Sequence, residues 1–541
     1  MGLLTLPPEL LIKIIDGLCI QDIVSAAQVC SDKTCGTLRS LVLENKSLLF
    51  SAENSYALQL PMGRNPKDVS SEAIYDIAAK SATISAGLSA AQEPLKPRSE
   101  TLYDLGPLGF GWGGDKVPTN LFVRDDLVAF VSGTTLCVIK LANDGTIKRG
   151  VRVRMAPEPA PQFYVDYQVS DDRCSILVAV ATSPSPPGQA NPGQAVHPDV
   201  LAVQEIYISE DRFGKTMSHF DTLLPPASME NLIIRDPYVA IVSQWSVRIV
   251  DWRKSLGVTV SLIAAEDLDE DGNDLGMSSL DVSSKQTHIR ASQLIDPIDF
   301  RKDIMGLVFH PTEPSFIVFE HYDSEADRQR PGIFVVNIPS PLGDIASMAV
   351  ERRVMPTEIA PDVFPEIESG LFATTRACGF RLLPDSSWVM DLSIVGTRRI
   401  EGVSEGEKPM FYQCTVALSD WTLRTEMTVY GTLPVEDGNN LNPFDPSNIA
   451  GTDFYHLRGK EQFQVIAPKF DNGNGLQHNP CWVRLVIPES LREPAPVPVP
   501  DDADPADIIR TYPGKGHPWM FDVHTGKLYL GLPEGLLVLQ Y

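Results

Sequence analysis

A stretch of 22 residues occurs twice in this chain of 541 residues. Residues 120–141 (NLFVRDDLVAFVSGTTLCVIKL) and 231–252 (NLIIRDPYVAIVSQWSVRIVDW) align without a gap, 111 positions apart, with eight identities in register. The first copy reads as three short strands, NLFV, LVAFVS and LCVIKL, separated by the turn formers Arg124-Asp125-Asp126 and Gly133-Thr134. A repeated unit of this kind cannot bury both its faces alone, so copies must stack on one another. Asp125 and Asp236 take equivalent places after the first strand of each copy.

The same alternation of short apolar runs and turns continues from about residue 100 to the C-terminus, for example at 174–181 (CSILVAVA), 304–311 (IMGLVFHP), 315–320 (SFIVFE), 332–337 (GIFVVN) and 387–393 (SWVMDLS). No helical period of any length interrupts it. Short strands in such number point to a β-propeller, whose radial four-stranded blades leave only short edges. At roughly 55 to 60 residues per blade the region holds about seven blades, with six to eight the range, and the repeat distance then equals two blades. The final run, Glu534 to Tyr541, is apolar to the last residue and is expected to be buried, closing the ring against a strand from near its start. Trp-Asp at a third-strand end, the mark of WD repeats, is absent, since Val250-Asp251-Trp252 has the reverse order; the likeness to WD-repeat propellers is loose and extends to architecture alone.

The first fifty residues differ. Pro7 and Pro8 fit a helix start, where a missing N–H costs nothing, and Leu10, Leu11, Ile14, Ile15 and Leu18 follow at helical spacing as one apolar stripe. Asp22 suits the cap of a second helix from Ile23 to Val29, and Leu38, Leu41, Val42, Leu48 and Leu49 suggest a third. This unit resembles an F-box, on the strength of Leu6-Pro7-Pro8-Glu9-Leu10-Leu11 with Ile14-Ile15, then Asp22-Ile23, then Val29-Cys30. The resemblance covers about residues 4 to 50, and it departs from the family where an aromatic residue often follows Val-Cys. It implies docking on a Skp-type adaptor, within a cullin complex, through Leu6, Pro7, Leu10, Ile14, Ile15, Leu18, Ile23, Val29 and Cys30. An ordinary amphipathic hairpin packed on the chain's own body is the plain alternative.

The expected organisation is therefore mainly β with a small α-helical N-terminal unit: residues 1–50 F-box-like helices, 51–100 a linker with one helix over 70–80 stopped by Pro94 and Pro97, and 101–541 a β-propeller. The apolar share of 43% excludes disorder. A net charge of −25 argues against nucleic acid, and no Lys/Arg cluster stands out, the nearest being pairs such as Arg352-Arg353 and Arg398-Arg399. Eight scattered cysteines without C-x-x-C spacing suit reduced thiols in the cytoplasm or nucleus. No apolar run reaches membrane-spanning length and no secretory leader is apparent, so no membrane partner is expected.

Chemistry-bearing motifs are missing: there is no G-x-S-x-G, H-E-x-x-H or G-x-x-x-x-G-K, and the nine histidines are dispersed. Residues 267–272 open like a calcium loop, but Ser278 stands where a bidentate Glu is required, so a solvated acidic loop is expected. The Pro-rich segments at 184–194 and 493–505 read as surface insertions. His310 reads as structural, and His517 and His524 are weak metal candidates. No cofactor, metal or catalytic residue is expected, and the chain is not expected to be an enzyme. Trp112, Trp245 and Trp519, near strand ends or turns, are candidate anchors for a client protein. The implied role is the substrate-recognition subunit of an SCF-type ubiquitin ligase. A non-degradative F-box scaffold and a propeller enzyme with a central metal are the alternatives.

Overall fold

The computed structural model describes residues 6–29, 36–52, 58, 60, 62–64, 66–90, 93–108, 119–142, 144–156, 162–183, 198–226, 229, 231–243, 246–262, 304–323, 328–349, 351–354, 357–358, 367–368, 374–382, 387–398, 408–430, 442–443, 453–456, 462–467, 481–486, 517–522, 525–532 and 535–541. Among these, the chain begins with four short helices, α1 (Pro8–Ile15), α2 (Ile20–Val29), α3 (Gly36–Glu44) and α4 (Ser47–Phe50). The spacing predicts three. The third is split because Asn45 ends α3, its side-chain amide donating to the Leu41 carbonyl at 2.8 Å while its backbone N–H does the same at 3.0 Å. Asp22 does not cap α2, which starts at Ile20; it lies in the first turn, where a carboxylate favours the helix dipole, and it accepts the Cys19 thiol at 3.2 Å.

Helix α5 (Ser71–Ala90) is capped by Ser70, whose hydroxyl accepts the Ala73 N–H at 3.3 Å. It runs ten residues beyond the expected end at Lys80. Its first half completes the helical core, with Ile74, Tyr75 and Ala78 packed among Leu11, Ile15, Ile20, Ile23, Leu41 and Leu49. Each buried Leu or Ile there contributes about 2 kcal/mol. Its second half leaves that core: Ile84 and Leu88 pack on Leu528, Leu530, Leu539 and Tyr541. The second half of α5 thus exists because the C-terminal strands cover it, and the helix is a strut between the two parts rather than a loose linker.

Among the described residues from Ser99 onward the regular elements are strands, with short 3-10 turns at Gly106–Leu108 and Ile345–Ala349. After β1 (Ser99–Asp104), the strands β2 (Thr119–Arg124), β3 (Leu127–Ser132), β4 (Thr135–Leu141) and β5 (Ile147–Arg154) form a four-stranded antiparallel sheet in chain order. β6 (Gln162–Val169), β7 (Ser175–Ser183), β8 (Asp199–Tyr207) and β9 (Thr216–Leu224) form a second, and β10 (Asn231–Arg235), β11 (Tyr238–Val242), β12 (Ser246–Asp251) and β13 (Leu256–Leu262) begin a third that Gly343–Asp344 and Glu351–Val354 extend. A nine-stranded sheet spans Ile304 to Tyr430, and a further four-stranded sheet spans Asn442 to Val486. The last sheet joins the two ends of the strand region: Gly535–Gln540 lies between Lys527–Leu532 and β1, with Ser99 opposite Gln540 and Asp104 opposite Gly535.

The apolar cores lie between successive sheets. Tyr103, Val123, Phe130 and Tyr529 fill the space between the last sheet and the first. Leu136, Val138, Ile176 and Val178 join the first to the second, Val203, Phe220, Leu232 and Trp252 the second to the third, and Val247, Ile249, Phe316 and Val318 the third to the strands after it. The leading strands touch in series, β2 beside His517–Asp522 and beside β6, and β6 beside β10. This serial packing of four-stranded antiparallel sheets, with first and last strands in one sheet, is a β-propeller-like architecture.

The repeat is reproduced at the level of register. Val123 pairs Val128 and Arg124 pairs Leu127 in the first sheet; 111 residues later Ile234 pairs Val239 and Arg235 pairs Tyr238 in the third. Asp125 and Asp236 each open a two-residue turn, and one complete sheet separates the two copies. The Asp236 turn is further held by Arg253, whose Nε and Nη2 meet its two carboxylate oxygens at 2.6 and 2.7 Å.

Candidate docking surface

Helix α1 is amphipathic in an uncommon way, because both of its sides are apolar. Pro7, extended at ψ 146°, feeds the helix, and its carbonyl accepts the N–H groups of Leu10 and Leu11 at 3.0 and 3.2 Å. Glu9 in the first turn and Lys13 in the last suit the helix dipole. The helix stops where Gly17 takes φ +79°, a left-handed conformation that glycine adopts without strain. Ser51, just after α4, donates its hydroxyl to the Asp16 carboxylate at 2.6 Å and ties that end down. The inward side carries Leu11 and Ile15, at 1% and 4% exposure. The outward side carries Leu10 and Ile14, at 46% and 47% exposure and one turn apart, about 6 Å along the axis. Pro7, just before the helix, is exposed as well, and so is Leu18, at 36%, three residues past its end.

The structure thus divides the residues implied by the F-box resemblance. Pro7, Leu10, Ile14 and Leu18 are exposed, Leu10 and Ile14 on one side of α1, and Leu6 is half-buried against the helical core. Ile15 and Ile23 are withdrawn into that core, at 4% and 0% exposure, and cannot touch a partner without unfolding it. The single stripe expected over Leu10 to Leu18 is two stripes. Successive helical residues are about 100° apart, so adjacent apolar pairs straddle both sides. Val29 closes α2, and Cys30 lies outside the described residues.

The helical unit is held against the strands. Beyond the α5 contacts, Lys140 donates to the Met62 carbonyl at 2.9 Å, Arg173 donates to the Leu60 carbonyl at 2.8 Å, and the Gly63 N–H reaches the Arg173 carbonyl at 2.8 Å. Gly63, at φ +81°, passes so close to the Ile208 carbonyl that a Cβ would collide with it. Under this junction lie Arg124, Asp125, Asp126, Lys140 and Lys527. Burial pushes the Asp126 carboxyl up to about 6, with Asp125 beside it adding to the rise and Lys140, 3.7 Å away, opposing it. Burial also lowers Lys527 and, together with neighbouring Arg124, brings Arg173 down to about 10.

Of the client-anchor candidates, one lies among the described residues. Trp112 and Trp245 lie outside the described residues, and Trp519 sits at the bulge of strand His517–Asp522. Trp252, which the sequence reading did not single out, is a core residue: it is buried between the second and third sheets, the Arg253 guanidinium lies 4.4 Å from its ring centroid, and His219 packs at 5.4 Å. Its signal was the repeat itself, in which Trp252 ends the second copy. His310 is structural, as expected: its Nδ1 accepts the N–H groups of Thr312 and Glu313 at 3.3 and 3.0 Å. His524 and the acidic segment 267–278 lie outside the described residues, as does the side chain of His517. Among the described residues no group of three or more His, Cys, Asp or Glu could hold a metal ion, Cys19, Cys137 and Cys174 are free thiols, and no helix is long and apolar enough to cross a membrane.

No protein-family model matches the chain, and comparison with curated proteins finds no match. Solved structures similar to it include the β-propeller domain of Nup133 from Vanderwaltozyma polyspora, 10% identical over 82% of this chain and 95% of that one, TM-score 0.31. The β-propeller domain of the Trilobed protease from Pyrococcus furiosus is 10% identical over 65% and 86%, TM-score 0.28. The fission yeast SREBP–SCAP binding domains are 10% identical over 66% and 80%, TM-score 0.30. The architecture described above stands on the strand pairings of this chain and not on these likenesses.

Proposed function

We propose that this protein is a substrate receptor of an SCF-type ubiquitin ligase, in which the N-terminal helices dock a Skp-type adaptor and a seven-bladed propeller captures a client protein. Dividing the nine-stranded sheet in two gives, with the other five sheets, seven blades. The observation that carries the docking role is the exposed pair Leu10 and Ile14 on a helix whose opposite side is already buried, with exposed Pro7 before the helix and Leu18 after it. A helix that has satisfied its own core and still exposes two large apolar residues one turn apart has surface to spare for a partner. The chain then acts by proximity and orientation, holding a client near ubiquitin-transferring subunits and carrying out no chemistry itself. The pinned junction supports this, because a receptor of this kind works only if its two ends keep a fixed relation.

The test is co-purification with a recombinant Skp-type adaptor. Leu10→Asp with Ile14→Asp places two charges in the buried centre of the interface, at about 2 kcal/mol or more per site. Binding is expected to be lost while the thermal unfolding midpoint stays within a few degrees of wild type. Adaptor recovered at the wild-type yield would overturn the reading.

A further inference from the structure

The charge reading of the sequence needs correction at β5. Residues 147–154, IKRGVRVR, place Lys148, Arg149, Arg152 and Arg154 in one strand of a molecule with net charge −25. Interleaved valines and a glycine hid them as a cluster. All four are exposed. β5 is the last strand of the first sheet, with β4 on one side and, among the described residues, no strand on the other. A bulge opposite Lys140 and Leu141 brings Lys148 and Arg149 to the side that faces the second sheet, where Val151 and Val153 pack. On the other side Arg152 reaches the Leu108 carbonyl at 3.4 Å. Cations therefore line both flanks of a strand edge that no described strand pairs.

The neighbouring hairpin, residues 209–215, is balanced, Glu210 and Asp211 standing against Arg212 and Lys215. Lys148 and Arg64 both sit 3.5 Å from the Glu210 carboxylate, holding it below the usual range, and Arg149 donates to the Glu210 carbonyl. Arg212 lies 3.4 Å from the Tyr207 ring centroid. With the hairpin neutral by count, the local positive excess is that of β5 itself. Charged residues on an edge strand can serve only to prevent sheet-to-sheet aggregation. The outer strands of the adjoining sheets argue against that here: β1 (SETLYD) has acidic residues and no cation, and β9 (TMSHFDTLL) has neither Lys nor Arg.

We propose that β5 is a docking edge for an acidic, extended peptide of a partner protein, which adds to the first sheet as a further strand. Main-chain pairing supplies register, and alternate Asp or Glu side chains meet Arg149 on one flank and Arg152 and Arg154 on the other. The inference is independent of the helical unit's role.

The test uses a fluorescein-labelled peptide of about twelve residues in which Glu-Glu pairs alternate with Thr-Thr pairs, so that an extended strand carries Glu on both faces, titrated with the full chain by anisotropy at low salt. Saturable binding is expected, weakened about tenfold or more by Arg149→Glu, Arg152→Glu and Arg154→Glu together, and by an intermediate factor in the matching Gln variant. The same peptide N-methylated at alternate backbone nitrogens keeps its charge and is expected to bind about tenfold more weakly. Three results would each overturn the proposal: no binding by the wild-type chain, equal binding by the Glu variant, or equal binding of the N-methylated peptide. Preference for anionic vesicles over the peptide would do the same. Co-purification with a Skp-type adaptor is expected to be unchanged in the β5 variants, which separates this test from that of the helical unit.

Discussion

Leu10 and Leu11 are neighbours in the chain, yet one is 46% exposed and the other 1%, and Ile14 and Ile15 repeat the contrast at 47% and 4%. The same substitution should therefore act differently at each. Ile15→Asp puts an uncompensated charge into the helical core and is expected to lower stability by about 3 kcal/mol or more, whereas Leu10→Asp alone is expected to stay within about 0.5 kcal/mol; chemical denaturation monitored by circular dichroism measures both. Asp126 offers a second residue-scale test. Its carboxyl, with Oδ1 buried and without a hydrogen-bond partner, is raised by burial to about 6. A raised carboxyl binds its proton more tightly folded than unfolded, so stability from this group grows as pH falls from 7 towards 4 and is lost as pH rises through about 6. Asp126→Asn, neutral throughout, is expected to raise the unfolding midpoint relative to wild type near pH 7.5 and to lose that advantage near pH 4.5. A midpoint difference that does not change with pH would show that Asp126 is solvated.

Among the elements, the C-terminal strand joins the two ends of the strand region. Gly535–Gln540 pairs on one side with Lys527–Leu532 and on the other with β1, more than 400 residues earlier in the chain. Removing residues 535–541 leaves β1 without a partner, strips one side of Lys527–Leu532, which keeps His517–Asp522 on its other side, and uncovers the surface that seats Ile84 and Leu88 of α5. The truncated chain is expected to be poorly soluble or to melt well below wild type; an unchanged midpoint would mean that the strand is dispensable. This strand was legible in the sequence, because an apolar run to the last residue has few other uses, and the repeat with its Asp125 and Asp236 turns was legible because turn chemistry and strand register are local. What could not be read were properties set by distant contacts. The second half of α5 is helical because Leu528 and Tyr541 cover it, and the division of α1 into an inward and an outward side depends on where α2, α3 and α5 pack. The cations of β5 escaped notice for a related reason, since alternation along a strand hides what a sheet edge collects.

For the molecule as a whole, three contacts fix the helical unit to the strands: the α5 strut, the Lys140 and Arg173 bonds to the 60–62 segment, and the Gly63 approach. A body built this way keeps the outward side of α1 at a constant position relative to the sheets. That side is the only part of the adaptor reading that the sequence could suggest and the fold could sort, and hydrogen–deuterium exchange of the full chain with and without a recombinant Skp-type adaptor examines it directly. Slowed exchange confined to the peptides spanning residues 6–29, with the sheets unchanged, is the expected result. Protection on the sheets without protection at Leu10, Ile14 and Leu18, or no change anywhere at saturating adaptor, would contradict it.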